Sequence, residues 1–200
     1  VEASLHFQKA KDLTKSAKYD SSNFYFNAAL AIYDQLALQE PSKRLTAQRF
    51  YCHREIGKNY LRHEDFEKAL IVFEEARSIG KKVFVENTIE IADIYLGLGD
   101  IAVQQDNYEK GEFYLKKCLS SLMASPKPNN ELMANLHFSF GRLYSKRGDL
   151  ERALERYKKS LAQYLELYGE GNVRVSYTYN NMAVVHASRG EMNPKNRTGS

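Results

Sequence analysis

The feature that most restricts this chain is an interval. A glycine follows a large apolar residue at Ile56-Gly57, Leu98-Gly99 and Phe140-Gly141, and Met182-Ala183 continues the series, each pair 42 residues after the last. A second ladder keeps step: Phe66, Tyr108 and Leu150, then Ala69, Gly111 and Ala153 three residues on. Phe73, Leu115 and Tyr157 follow, and after them the small residues Ala76, Cys118 and Ser160. Several ladders sharing one period mark a structural unit copied in tandem.

Within the unit, His53, Ile56, Gly57 and Tyr60 are spaced i, i+3, i+4, i+7, which is one face of an α-helix. Phe66, Ala69, Phe73 and Ala76 give the same face on a second helix. Each repeat is therefore expected to be a helical hairpin, its small residues lying where axes approach and its aromatics filling the space beside them. One hairpin cannot bury both of its faces, so copies stack, and the expected fold is an all-α solenoid of antiparallel hairpins.

Taken in order, residues 5–40 form a degenerate first repeat, with Ala17 and Phe26 each 40 residues before Gly57 and Phe66. Its turn is expected at Tyr19-Asp20-Ser21-Ser22-Asn23, and Phe26, Ala29, Tyr33 and Leu36 supply its second helix. Pro41 ends it. The second repeat, 43–82, turns at Arg62-His63-Glu64-Asp65 with Asp65 as a cap, and its second helix runs from Phe66 to about Ser78 with Gly80 as the stop. The third, 83–124, turns at Gln105-Asp106-Asn107, and the fourth, 130–168, at Arg147-Gly148-Asp149. Residues 173–188 supply a first helix alone, giving about four and a half repeats, and 191–200 read as a disordered tail. Ser125-Pro126-Lys127-Pro128-Asn129-Asn130 is short enough to be an inter-repeat loop, so residues 1–190 are expected to form a single domain.

The pattern of a large residue and Gly, then Tyr, then aromatic-x-x-Ala-x-x-x-aromatic-x-x-small resembles the tetratricopeptide repeat, whose usual period is 34. The longer period is similar to the kinesin light chain type. Tyr164 to Val173, with Gly169, Glu170 and Gly171, followed by Tyr179-Asn180-Asn181-Met182-Ala183, resembles that family's segment of Gly, charge and Leu-Asn-Asn-Leu-Ala. The resemblance spans roughly residues 5–190 and implies a right-handed superhelix that binds proteins.

Composition excludes more than it suggests. The net charge is +4, with bases and acids interspersed as on a solvated helix surface, so nucleic-acid binding is not expected. There is no apolar run of about 18 residues and no secretory leader, so membrane insertion is not expected. Cys52 and Cys118 lie on different helices, and Cys118 fills a small-residue core position, so reduced packing cysteines and a cytoplasmic location are expected. His6, His53, His63, His137 and His186 show no metal-ligand spacing, and His53, His137 and His186 fall where the neighbouring helix packs. No phosphate loop, nucleophile elbow or Cys-x-x-Cys is present, and Glu74-Glu75 reads as solvated charge. Neither catalysis nor a cofactor nor a metal is expected. Asn196-Arg197-Thr198 matches a glycosylation acceptor and is read as incidental.

In stacked hairpins the first helices line a concave groove, and the side opposite the core face is presented there. That side carries Tyr51, Arg54, Lys58 and Arg62 in the second repeat, and Asp93, Leu96, Asp100 and Gln104 in the third. The fourth gives Asn135, Phe138, Arg142 and Lys146, and the fifth Tyr177, Asn180, Asn181 and Val184. Arg54, Lys58 and Arg62 fit either a solvated face or a docking ladder for acidic side chains. Tyr51, Phe138 and Tyr177 fit either packing between hairpins or contact with a ligand.

The resemblance implies that Asn180 and Asn181 reach peptide backbone, since an amide offers both donor and acceptor. Chaperone-type relatives hold a terminal carboxylate with Lys, Asn and Arg at positions that here are Tyr51 and Glu55, Asp93 and Gly97, and Asn135 and Ser139. These cannot make that clamp, so the chaperone C-terminal tail is not an expected ligand. The expected function is a scaffold binding a peptide or helix of a partner protein, with an acidic partner suggested by the basic rows. The alternatives are a structural subunit, its groove filled by itself or a second copy, and a regulatory module of a longer protein. The oligomeric state is left open by the sequence.

Overall fold

The computed structural model describes residues 2–84, 88–126 and 129–192. Among these are nine α-helices and no strand: α1 (Glu2–Lys15), α2 (Tyr19–Gln39), α3 (Lys43–Arg62), α4 (Phe66–Val83), α5 (Ile89–Gln104), α6 (Tyr108–Ala124), α7 (Asn130–Lys146), α8 (Leu150–Tyr168) and α9 (Val173–Met192). They pair in sequence as the hairpins α1/α2, α3/α4, α5/α6 and α7/α8, and α9 packs on α8. The expected tail at 191–200 and the site at Asn196 fall almost wholly outside the described residues, as do Lys127 and Pro128 of the inter-repeat loop.

The glycine ladder works as the spacing predicts. A Cβ on Gly57 would stand 3.0 Å from the ring of Phe73, one on Gly99 2.7 Å from Leu115, and one on Gly141 2.6 Å from Tyr157. Phe73, Leu115 and Tyr157 are almost wholly buried, so each hairpin closes by pressing one large side chain onto bare backbone. Phe73 does this twice, because a Cβ on Gly97 of the next repeat would stand 2.6 Å from Cζ at the tip of its ring.

The turns recur as faithfully as the core. Glu64, Asp106 and Gly148, 42 residues apart, each adopt positive φ. The next residues, Asp65, Asn107 and Asp149, accept a hydrogen bond from the backbone N–H three residues on, capping α4, α6 and α8. Their own N–H groups return to the carbonyls of Tyr60, Ala102 and Tyr144 at 2.9–3.0 Å.

This turn corrects the reading of the first repeat. Ala17 has φ +56° and the Lys18 N–H bonds to the Leu13 carbonyl at 3.0 Å, so Ala17 is the counterpart of Glu64 and not of Gly57. The glycine position is held by Ala10, fully buried 47 residues before Gly57, and Phe26 stands 47 residues before Phe73. The expected offset of 40 misplaced the turn because Ser22 and Asn23 look like turn formers. They are buried inside α2, where Ser22 Oγ donates to the Ala10 carbonyl at 2.9 Å and Asn59 Nδ2 donates to Ser22 Oγ at 3.0 Å and Asn23 Oδ1 at 2.9 Å. Gly80 is likewise not a helix stop: it lies inside α4, where a Cβ would meet Ile91 at 2.6 Å and Phe50 at 2.9 Å.

Candidate functional site

The first helices α3, α5, α7 and α9 stand side by side and line two adjoining cavities of about 570 and 220 Å³. Of the residues expected in the groove, Arg62, Asp100, Phe138, Arg142, Lys146, Tyr177 and Asn181 line the larger cavity. Lys58, Asp93 and Asn135 line the smaller one, together with Arg62, Asp100, Phe138 and Arg142. Tyr51, Arg54 and Asn180 line neither. Tyr51 packs by its ring 5.5 Å from Phe50 and 6.1 Å from Phe84, and Arg54 lies over it. A separate hollow of about 730 Å³ lies between α1, α2 and α3, away from this groove.

The basic rows are not free. Lys58 Nζ donates to Asp93 Oδ2 at 2.8 Å, and Arg54 donates to Glu55 at 2.6 Å and lies 3.6 Å from Asp93. Burial works to raise the Asp93 carboxyl, but Lys58 and Arg54 outweigh it and hold the group below the ordinary range. Lys146 pairs with Asp106 at 2.8 Å across the α7/α5 junction. These pairs tie α3 to α5 and the turn after α5 to α7, so much of the expected docking ladder serves as stapling between repeats. Arg62 is held differently, donating to Asn59 Oδ1 at 3.3 Å.

Asp100 differs from Asp93. Arg142 Nη1 stands 3.6 Å from its Oδ1, beyond hydrogen-bonding reach, and that oxygen is buried with no hydrogen-bond partner among the described residues. Burial outweighs Arg142 and Ser139 and raises its carboxyl above the ordinary range.

The groove also contains residues that counting along the core ladder missed. Arg174 lines both cavities, pairs with Glu131 at 3.1 Å, and lies over the rings of Tyr164 and Tyr168 at 5.7 and 5.8 Å. Its signal was available: Arg174, Tyr177 and Asn181 are spaced as one helix face. Tyr164 reaches the same place from α8, donating its hydroxyl to Asn135 Oδ1 at 2.7 Å. Asn181 is satisfied internally, with Nδ2 donating to the Tyr177 carbonyl at 2.8 Å and Oδ1 accepting from Tyr157 at 3.4 Å.

Among the described residues no cluster of His, Cys, Asp and Glu could hold a metal ion, and no helix is long and apolar enough to cross a membrane. Both cysteines are buried and unpaired, and burial pushes the Cys52 thiol up to about 12. His53 meets Glu75 at 3.2 Å, and His137 stands 3.4 Å from Arg156. His186, expected against a neighbouring helix, is exposed on α9, where no second helix follows among the described residues.

Comparison with known proteins agrees with this geometry. The family profile described as Tetratricopeptide repeat matches residues 90–166 and 132–193. In the solved structures, BtubC (BKLC) from P. vanneervenii superposes with a TM-score of 0.67 at 21% identity, covering 91% of this chain and 70% of that one. A Podosopora anserina putative kinesin light chain with nearly identical TPR-like repeats superposes with a TM-score of 0.64 at 12% identity, covering 94% and 86%. Among curated proteins, response regulator aspartate phosphatase E of Bacillus subtilis (strain 168) is 24% identical over 183 residues, 84% of this chain and 48% of that protein. The chain thus spans about half the length of that relative.

Proposed function

This chain belongs to the tetratricopeptide repeat family, and from that premise we propose that it is a non-catalytic scaffold that binds an extended segment of a partner protein along the groove of its first helices. The observation that carries the reading is the pair of adjoining cavities, to which four successive repeats contribute cations, aromatic rings and amides. Arg62, Arg142, Lys146 and Arg174 line the larger one; Lys146 is paired with Asp106 and Arg174 with Glu131, so Arg62 and Arg142 are the cations that suit acidic groups on the partner. Phe138, Tyr164 and Tyr177 add flat apolar area at small entropic cost. Lys58, Asp93, Asn135 and Asn181 belong to the same wall, and Tyr51, Arg54 and Asn180 flank it.

Selecting displayed random heptapeptides against the protein tests this. Acidic and aromatic residues should be enriched, and Arg62→Glu with Arg142→Glu should weaken the best peptide by at least about tenfold. Equal binding to the double variant overturns the basic-groove reading, and no enrichment at all overturns the groove as a binding site.

A second reading, that these repeats regulate a signalling segment, draws on the match to response regulator aspartate phosphatase E. It expects the chain to bind a purified response-regulator receiver domain in a titration, and flat titrations against several would remove it.

A further inference from the structure

We propose that the outer face of the stack, formed by the second helices α2, α4 and α6, is a further docking surface, and that its occupant is a basic amphipathic helix of a partner protein. This surface is separate from the groove of the first helices and goes beyond the function proposed for that groove.

One register of the repeat carries it. Phe24, Ile71 and Phe113 are 68, 60 and 55% exposed, and each stands two residues before the buried large residue of its hairpin, Phe26, Phe73 or Leu115. Two residues along a helix turn a side chain to the opposite side, so all three face away from the core. Exposed apolar residues scattered singly need no explanation, but one in each of three successive repeats at the same register makes a row. The row stops on α8, where Glu155 takes the place. Its base is continuous from helix to helix. Tyr25 of α2 and Val72 of α4 pack against one cluster of Ala10, Phe26 and Ile56, and Tyr114 of α6 donates its hydroxyl to Glu74 of α4 at 3.4 Å. The rings of Phe24 and Phe113 lie edge-on to those of Tyr25 and Tyr114 at 5.3 and 5.4 Å.

Charge selects the occupant. One helical turn before the apolar row runs an acidic one, Asp20, Glu67 and Glu109, each exposed and in no ion pair among the described residues. Acids in a first turn suit the helix dipole, which accounts for their presence but not for the apolar row beside them. A partner that covers Phe24, Ile71 and Phe113 also lies against these carboxylates, so Lys or Arg beside its apolar face is favoured. A second copy docked by the same face would set acid against acid, and an anionic lipid surface would be repelled. The row offers side chains alone, because the backbone groups beneath it are bonded within their own helices. An extended segment laid there would leave its N–H and C=O groups without protein partners, whereas a helix satisfies its own and presents apolar and basic faces side by side.

The probe is a synthetic helix of leucine and lysine with its leucines on one face, titrated by calorimetry at low salt beside a control helix in which glutamate replaces lysine. The lysine helix should bind saturably and the glutamate helix should not. The triple variant Phe24→Ser, Ile71→Ser and Phe113→Ser should weaken binding at least about tenfold. Glu67→Gln with Glu109→Gln should weaken it about threefold and flatten its salt dependence. Tyr177→Ser, on the groove wall, should change it less than about twofold. Because the three apolar residues are exposed, the triple variant should keep the wild-type urea midpoint, and a clear fall would assign the row to internal packing and overturn the proposal. It is overturned as well if the lysine helix does not bind, if the glutamate helix binds equally, or if the triple variant binds like the wild type. Self-association of the wild type in sedimentation, abolished in the triple variant, would give the face to a second copy and overturn the basic partner. The groove reading survives each of these outcomes, since its own peptides test it.

Discussion

One position of the repeat is filled in two ways. Ile101, Leu143 and Val185 are buried aliphatic residues 42 apart, and the residue 42 before Ile101 is Asn59, equally buried. Around the aliphatic versions the helices meet through hydrocarbon, and α5 alone buries eleven residues. Around Asn59 the first hairpin meets α3 through a polar cluster, in which Thr14 and Ser22 stand 2.7 Å apart and Asn59 bonds to Ser22 and Asn23. The two junctions share geometry but not chemistry. Hydrocarbon packing adapts to any similar volume, whereas a buried polar cluster tolerates only the partners that satisfy it.

The largest effect should come from the hydrocarbon side. Phe73→Ala removes the ring that two glycines are shaped to receive and should cost about 3–5 kcal/mol, read from the urea midpoint. A loss below about 1 kcal/mol would mean that the seats collapse around the gap. Next comes Asn59→Ala, which leaves the buried Asn23 Oδ1 without its donor and should cost about 1–3 kcal/mol. Hydrogen exchange should quicken in α1 and α2 and stay unchanged in α7 and α8, and uniform quickening would show that the junctions do not open separately.

A smaller, pH-dependent effect belongs to α7. Burial, with Arg156 and Lys159 nearby, lowers the His137 imidazole to about 4. The unfolded chain, at about 6.5, therefore binds the proton more readily, so this contribution to stability is present above that pH and is lost as pH falls from about 6.5 towards 4. His137→Gln should flatten that segment of the stability curve, and an unchanged slope would assign it to other groups. The smallest effect is expected from converting one junction into the other. Asn59→Leu with Asn23→Leu should leave stability within about 1 kcal/mol of wild type, because both sides of the polar contact become apolar together. A large loss would show that Thr14 and Ser22 also depend on Asn59.

The same contrast explains what could be read from the sequence. Where junctions are hydrocarbon, large and small residues alternate at 42, and the hairpins α3/α4, α5/α6 and α7/α8 were legible, with Asp65 as the cap of α4. At the polar junction the signal inverted: Ser22 and Asn23 carry the composition of a turn yet lie within the start of α2, because their partner is 36 or 37 residues away. The groove was half legible for a related reason. Helix phase located Lys58, Arg142 and Asn135, but whether a cation is free depends on the neighbouring helix, and only the folded stack brings Asp93 to Lys58 and Asp106 to Lys146.

The ring of Phe73, held between Gly57 and Gly97, touches the bare backbone of two successive groove-lining helices at once. At that point one aromatic side chain thus fills the space that both glycines leave open, and it is common to the packing of α3 and of α5. At the matching place near the other end, Tyr157 lies against Gly141 and its hydroxyl donates to Asn181 Oδ1 at 3.4 Å. Asn181 stands where Gly97 stands two repeats earlier, so a side-chain amide takes the place of bare backbone beside the ring.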